Sequence, residues 1–386
     1  MKNYLDPIPK FCEELKKIRE IILTNIVLLG QIPAPTFLEK RRADLLLERM
    51  AELDMDECTT DSYGNPIGII RGKSSKKPPI FIEAHLDTFA KDPCLDHDFI
   101  VTDTFIKGAG VSDNSTGVGV LASLPEIIKR LDLKFDSDII LISDVESLGK
   151  GNLKGIRNFL KVWTTPIRGA ICLESVEFGR LNYYSEGMIR AEIECNIEAG
   201  TGWQASAKPN AILVINEAIN EILKLRLPQK PITKIVIGKI SGGFKHGQNA
   251  FDSSAGFEIR SDSDDIVKEI FNDIKDIVTG ISHRYGVILK LKRISNRNTA
   301  RINFNHPLVK SASGILKTMG MVPICNSSES ALSIFLSKKI PAVTVGITHG
   351  NNYRQQNAMV EIAPIYKGIA QILSLLMAID SGVCDV

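Results

Sequence analysis

Ile80-Phe-Ile-Glu-Ala-His85-Leu-Asp87-Thr88 is an apolar run that stops at a His-x-Asp pair. A short β-branched and aromatic run bounded by polar residues reads as a buried strand. Ligands of open α/β sheets sit just beyond the carboxyl ends of such strands. An imidazole there is placed to hold a metal, and a carboxylate two residues on can fix its tautomer. Alone the pair is weak, because most histidines at strand ends bind no metal. Two later segments add weight. Gly108-Ala-Gly-Val-Ser-Asp113-Asn114-Ser-Thr-Gly117 reads as a Gly-rich turn opening a helix, with an acid at its mouth. N-capping is the commoner use of such residues. Gly169-Ala-Ile-Cys-Leu-Glu174 is another strand that ends in an acid. One histidine and two acids at element ends match the donors that zinc or manganese would use.

Outward from these segments, helix and strand patterns alternate. A helical pattern runs from Phe11 to Val27, and a charged helix from Leu38 to Leu53. Strands follow at Ile67–Arg71 and Ile80–Ala84, then a helix from Asp113 to about Leu131, then a strand in Asp138-Ile-Ile-Leu-Ile-Ser. This predicts a mixed, largely parallel sheet with helices on both faces. Between Ser185 and Ser295 the pattern changes to strand, helix, strand, strand, helix, strand, which is a ferredoxin-like order. There Ile266, Ile270, Ile274, Ile277 and Ile281 recur at helical spacing. Leu308 to Met319, Ala342–Ile347 and Ile365–Met377 return to the first type.

With these motifs in hand, the chain resembles the M20 family of metallopeptidases, co-catalytic zinc exopeptidases and amidohydrolases, over nearly its whole length. Asp61-Ser-Tyr-Gly64-Asn65, His85-Leu-Asp87-Thr88, Gly110-Val-Ser-Asp113-Asn114, Gly151-Asn-Leu-Lys-Gly155, Cys172-Leu-Glu174, Ser327-Ser328 and Ile340-Pro-Ala-Val-Thr-Val-Gly346 are similar to that family's motifs in order and spacing. The resemblance implies a discontinuous catalytic-type domain (1–184 and 296–386) and an inserted lid and dimerisation domain (185–295). It implies a metal held by His85, Asp113 and Glu174, with Asp87 behind the histidine. Zinc is the expected ion, manganese or cobalt the alternatives, and no ion the limiting case. A homodimer and a small peptide or N-acyl amino acid ligand are implied as well.

The pattern also breaks. The family's Glu-Glu pair, general base and then second-metal ligand, aligns on Ser147-Leu148. Serine is no base near neutral pH, and leucine has no lone pair. The late metal-ligating histidine aligns on Arg354, a guanidinium that cannot ligate a cation but can pair with Asp113. The lid histidine aligns on Thr201, and the substrate-binding asparagine is lost from Ser327-Ser-Glu329-Ser-Ala331. The expected protein is therefore an M20-like homologue impaired in catalysis. Two alternatives stay open. One is an active, mononuclear or rearranged hydrolase, in which Glu146 substitutes as base and His349 as ligand. The other is a non-catalytic binding or assembly module. By the same resemblance His246, Asn249, Arg260 and Arg354 are candidate substrate contacts. His97, within Asp96-His97-Asp98, reads as a solvated loop residue, and Trp203 as packing or an interface anchor.

Composition excludes several classes. Net charge is +2, and the basic cluster Lys73-Ser-Ser-Lys-Lys77 reads as a solvated turn, so no nucleic-acid partner is expected. Seven scattered cysteines without C-x-x-C spacing point to reduced thiols and a cytoplasmic setting. The charged N-terminus lacks a signal-peptide core, no apolar run is expected to span a membrane, and no Gly-x-Ser-x-Gly elbow or phosphate loop appears.

Overall fold

The computed structural model describes residues 4–53, 55–74, 76–89, 97–198 and 208–385. The chain divides into two compact units, Met1–Tyr184 with Arg301–Val386, and Ser185–Ala300.

The first unit is built on a seven-stranded sheet. Its order is Glu57–Thr60, Pro66–Ile70, Ile139–Ile142, Ile80–Glu83, Gly169–Val176, Ala342–Thr348, Leu181–Asn182. The four strands from Ile139–Ile142 to Ala342–Thr348 pair in parallel. Every residue in them is buried, as their unbroken apolar runs require when helices cover both faces. The outer pairings are antiparallel. Because the parallel strands share a direction, their carboxyl ends meet on one edge. His85, Asp144 and His349 follow those ends, and Glu174 lies within its strand, two residues before the end at Val176.

Three local features depart from expectation. The first helical pattern is two helices, Ile8–Lys17 and Arg19–Gly30, interrupted at Ile18 (φ −109°, ψ 23°). No Gly or Pro marks that break. The second helix then lies along Thr116–Arg130, where the Asn25 amide donates to Ser123 Oγ at 2.9 Å. A small additional sheet runs Gly350–Asn351, Met359–Glu361, Phe105–Lys107, Ile100–Val101. Strands of two or three residues carry no readable period, yet this sheet places the 352–358 turn beside the segment that leads to Asp113. Finally, Ala363–Asp380 is long and apolar enough to cross a membrane by length and composition, contrary to the sequence reading. Some 72% of it is buried inside this unit, where it forms core against the strand Ala342–Thr348.

The second unit is a four-stranded antiparallel sheet, Thr233–Gly242, Asp252–Ser261, Gly187–Asn196, Leu289–Arg297, with helices Ala211–Leu223 and Asp264–Tyr285. Asn210 and Ser263 cap the helices by accepting from Ile212 and Ile266 N–H. Gly286, at φ 61°, ends the longer one in the left-handed conformation that glycine tolerates. Val267, Ile270, Ile274, Val278 and Ile281 form its buried stripe, a slight rotation from the isoleucine pattern. The last strand runs to Arg297, past Ser295.

Among the described cysteines, Cys12, Cys58, Cys172, Cys195, Cys325 and Cys384 are free thiols. Cys94 lies outside the described residues.

Candidate metal site

The loop after Ile80–Glu83 presents His85. Its Nδ1 donates to the Asp87 backbone oxygen (2.9 Å) and to Asp87 Oδ1 (3.2 Å). Asp87 is fully buried, and its Oδ2 accepts from Thr36 Oγ1 (2.7 Å) and Leu148 N–H (2.8 Å). With Nδ1 committed, Nε2 is the nitrogen that faces the site, where it pairs with Asp113 Oδ1 at 3.4 Å. Glu174 completes the group: one donor atom from each of His85, Asp113 and Glu174 lies within 4.8 Å of the others, all three residues being buried. One nitrogen and two oxygens this close, with the imidazole oriented by a carboxylate behind it, fit a single divalent ion of zinc or manganese type.

Asn114 holds the two acids in register. Its Nδ2 donates to Leu173 O at 2.8 Å, and its Oδ1 accepts from Ser175 N–H (2.8 Å) and Ser175 Oγ (2.9 Å). The residue after one ligand is thus tied to both neighbours of another. Gly117 must be glycine here, since a Cβ would stand 2.3 Å from Asn114 Oδ1. Asn65 does similar work for the 145–155 loop. Its Oδ1 accepts from Val145 N–H (3.0 Å), and its Nδ2 donates to Asp61 Oδ2 (2.6 Å) and Gly155 O (3.2 Å).

Asp113 has two further partners. Arg354 Nε donates to its Oδ2 at 2.7 Å, and the Tyr353 hydroxyl donates to its Oδ1 at 3.1 Å. The guanidinium also lies 4.9 Å from the Tyr353 ring centre. Burial alone would raise the Asp113 carboxyl, but His85 and Arg354 outweigh it and hold it at about 2. Burial would lower His85, yet bonding to Asp113 and Asp87 raises it well above the usual imidazole value. Burial pushes Glu174 up, with His85 and Arg180 opposing. The metal-free cluster is therefore a charged network that favours the protonated form of the imidazole.

The residues at the altered positions are accounted for locally. The Ser147 hydroxyl donates to Asp144, a fully buried acid. Leu148 reaches the site through its backbone N–H. Glu146 is half-buried: its carboxylate pairs with Lys154 at 2.9 Å, and its N–H donates to Glu39 Oε1 at 2.8 Å. His349 is exposed, with its ring edge-on to Phe178 at 5.9 Å. Neither joins the three-residue donor group. Candidates in the inserted unit have their own partners. Arg260 Nε pairs with Glu258 at 2.8 Å, Asn249 Nδ2 donates to Lys208 O at 3.3 Å, and His246 is exposed. Thr201 and Trp203 lie outside the described residues. His97 is not solvated: it is only 9% exposed. Phe99, two residues on, packs against the core and draws that stretch inward.

Arg42 is a positioning residue that sequence reading missed. Its guanidinium is fully desolvated and donates to Gly30 O (3.1 Å), Ile32 O (2.9 Å), Leu86 O (3.2 Å) and Ser115 Oγ (3.3 Å). It thereby joins the His85–Asp87 loop to the Asp113 turn. Burial pulls it down to about 9, with Asp87 and Glu39 opposing, so it stays charged at neutral pH. A signal existed, because Arg42 shares the i, i+4, i+8 stripe of its helix with buried Leu46 and Met50. Each buried acceptor left without a donor costs about 1–3 kcal/mol. Arg42→Met should therefore destabilise the protein by roughly 3 kcal/mol or more by this reckoning, read as a lower urea midpoint, and Arg42→Lys should recover only part of it. Unchanged stability in both would mean the guanidinium is not the tie described.

No family model matches the chain. A curated relative, the uncharacterised protein YgeY of Escherichia coli (strain K12), is 28% identical over 120 residues, which is 30% of this chain and 29% of that protein. The match thus spans less than a third of the relative. Among solved structures, the dipeptidase Dug1p of Saccharomyces cerevisiae aligns with a TM-score of 0.77 at 10% identity, over 99% of each chain. The YxeP protein of Bacillus subtilis, described as a dinuclear metal-binding peptidase of the M20 family, aligns with a TM-score of 0.65 at 12% identity, over 95% of this chain and 99% of that one. The chain has an M20 metallopeptidase-like fold with an inserted domain.

Proposed function

We propose that this protein is a one-metal derivative of the M20 peptidase site, impaired in hydrolysis and retained as a binding or regulatory module for a small peptide or N-acyl amino acid. The observation that carries the reading is the Arg354 Nε to Asp113 Oδ2 hydrogen bond at 2.7 Å. By the family resemblance, a second ion would also be held by Asp113. A fixed guanidinium on it supplies positive charge where the second ion would, without offering a ligand. His85, Asp113 and Glu174 would hold the remaining ion, which when bound would act as a Lewis acid toward a carbonyl oxygen. Asp87 keeps the His85 ring oriented. Glu146, which pairs with Lys154, and His349 both stand outside the three-residue donor group, which supports the impaired reading over the active one. Turnover assays of small peptides with added zinc, manganese or cobalt test it. Activity near the background rate is the expected result.

The ion is taken to be zinc from its donor set, and the cytoplasmic setting from the free thiols. The inserted unit is proposed as the dimerisation element. Its edge strand Thr233–Gly242 leaves Val236 (45%) and Ile240 (59%) exposed, and Leu213 of the neighbouring helix is 61% exposed. An apolar edge strand is a template for pairing unless it is covered. Light scattering after size exclusion should give twice the chain mass, and Val236→Lys with Ile240→Lys should give the monomer. A monomeric wild-type protein at micromolar concentration would remove the dimer.

A further inference from the structure

The inserted unit holds a groove that none of the chemistry above uses. It has a volume of about 500 Å³ and lies between the helix Asp264–Tyr285 and the edge strand Leu289–Arg297. That size falls within the range of small-molecule pockets, about 300–1,000 Å³. Leu289, Leu291 and Arg293 alternate onto one face of the strand, while Phe271, Lys275 and Val278 follow helical spacing, and all of these line the groove. The floor is therefore apolar. The two charged groups are both cations, no acid lines the groove, and neither cation forms an ion pair among the described residues.

The geometry of the helix and its returning strand sets the cations together. Lys275 stands ten residues before the helix end at Tyr285, about 15 Å along the axis. Arg293 stands four residues beyond the strand start at Leu289, about 13 Å back along the same direction. By these lengths the two cations stand at similar heights above the 286–288 turn, and both line the groove. Val278, Leu289 and Leu291 lie on the side toward the turn, and Phe271 lies on the other. Thr279 adds no free donor toward a ligand, because its hydroxyl donates to Lys275 O at 2.8 Å. An ordinary solubilising role for Lys275 and Arg293 would not need an apolar cleft between them.

We propose that this groove binds a small amphipathic carboxylate. Its anionic head would pair with Lys275 and Arg293, and its alkyl chain would lie over Leu291, Leu289 and Val278. The test is calorimetric titration of the full-length protein with sodium decanoate below its aggregation range, beside decanol and decyltrimethylammonium as controls. Decanoate should bind saturably at one per chain, and the cationic control should not bind. Lys275→Glu with Arg293→Glu should weaken decanoate by at least about tenfold. Thr279→Trp, at an exposed position on the groove wall, should block it while far-UV circular dichroism and the thermal midpoint stay unchanged. Absence of saturable binding up to about 1 mM, equal binding of the cationic control, or full affinity in both variants would overturn the proposal.

Discussion

Protein purified with zinc present should carry one ion per chain, and His85→Ala should lose it. His85, Asp113 and Glu174 would hold one ion, and three protein ligands would leave a position open to solvent or substrate. Substituting a group that only orients a ligand costs about 10–100-fold in metal affinity. Asp87→Ala, which frees the His85 ring, should fall in that range, and His85→Ala should exceed it. Acidity adds a second signature. A protonated His85 must give up a proton before it can ligate, and its folded value is raised. Zinc affinity should therefore fall as pH drops through that raised value, with one proton released per ion bound. In the metal-free protein the sign for Asp113 runs the other way. Its carboxyl is held at about 2, below the unfolded value of about 3.9. Its contribution to stability is present above the unfolded value and lost as pH falls toward 2. Elemental analysis and calorimetry across pH would check both. Two tightly held zinc ions per chain would sink the one-ion reading and point to displacement of Arg354 from Asp113.

The parts of this molecule that were legible in sequence are those with a period or a fixed spacing. Four buried parallel strands announce themselves as short apolar runs. His85, Asp113 and Glu174 could be picked out because each sits at the end of such a run or at a Gly-rich turn. The pairing of Arg354 with Asp113 was one of two roles that the family resemblance left open for a guanidinium at the late-histidine position. What stayed hidden depends on short or non-local structure. Tyr353 reaches Asp113 because the strands Gly350–Asn351 and Met359–Glu361 form a hairpin against Phe105–Lys107, and elements that short leave no pattern. Arg42 sits in a charged helix, where only its position on the buried stripe separates it from Lys40 and Arg41. Glu146 could be weighed as a substitute base in sequence. Its backbone at φ 53° and its pairing with Lys154 are tertiary facts. The double clamp of Asn114 on Leu173 and Ser175 likewise has no linear signature, because it joins positions about sixty residues apart.

Wild-type protein should show negligible aminopeptidase, dipeptidase and carboxypeptidase turnover, and repair of the altered positions should raise it. The losses add only in direction, because groups that act as a unit do not contribute independently. A general base is worth roughly 10²–10⁴-fold, and one donor to a developing oxyanion about 10²–10³-fold. Ser147 offers neither, since its hydroxyl is spent on Asp144, and Leu148 supplies only a backbone N–H to Asp87. Arg354 holds Asp113 Oδ2. The combined variant Ser147→Glu, Leu148→Glu, Arg354→His and Thr201→His restores base, ligands and carbonyl donor together. Its peptide turnover should rise by at least about 10²-fold, and its zinc content should go from one ion to two. The metal count keeps the test sharp if the new glutamates strain the loop beside buried Asp144, since a folded variant that still binds one ion would show that the second site was not lost at these positions. The opposite result is equally plain. If the unmodified protein already turns over a small peptide at an ordinary enzymatic rate, about 1–10³ s⁻¹, and His85→Ala abolishes it, then a single ion with Arg354 in place of its neighbour is a working active site, and the impaired reading must give way to that one.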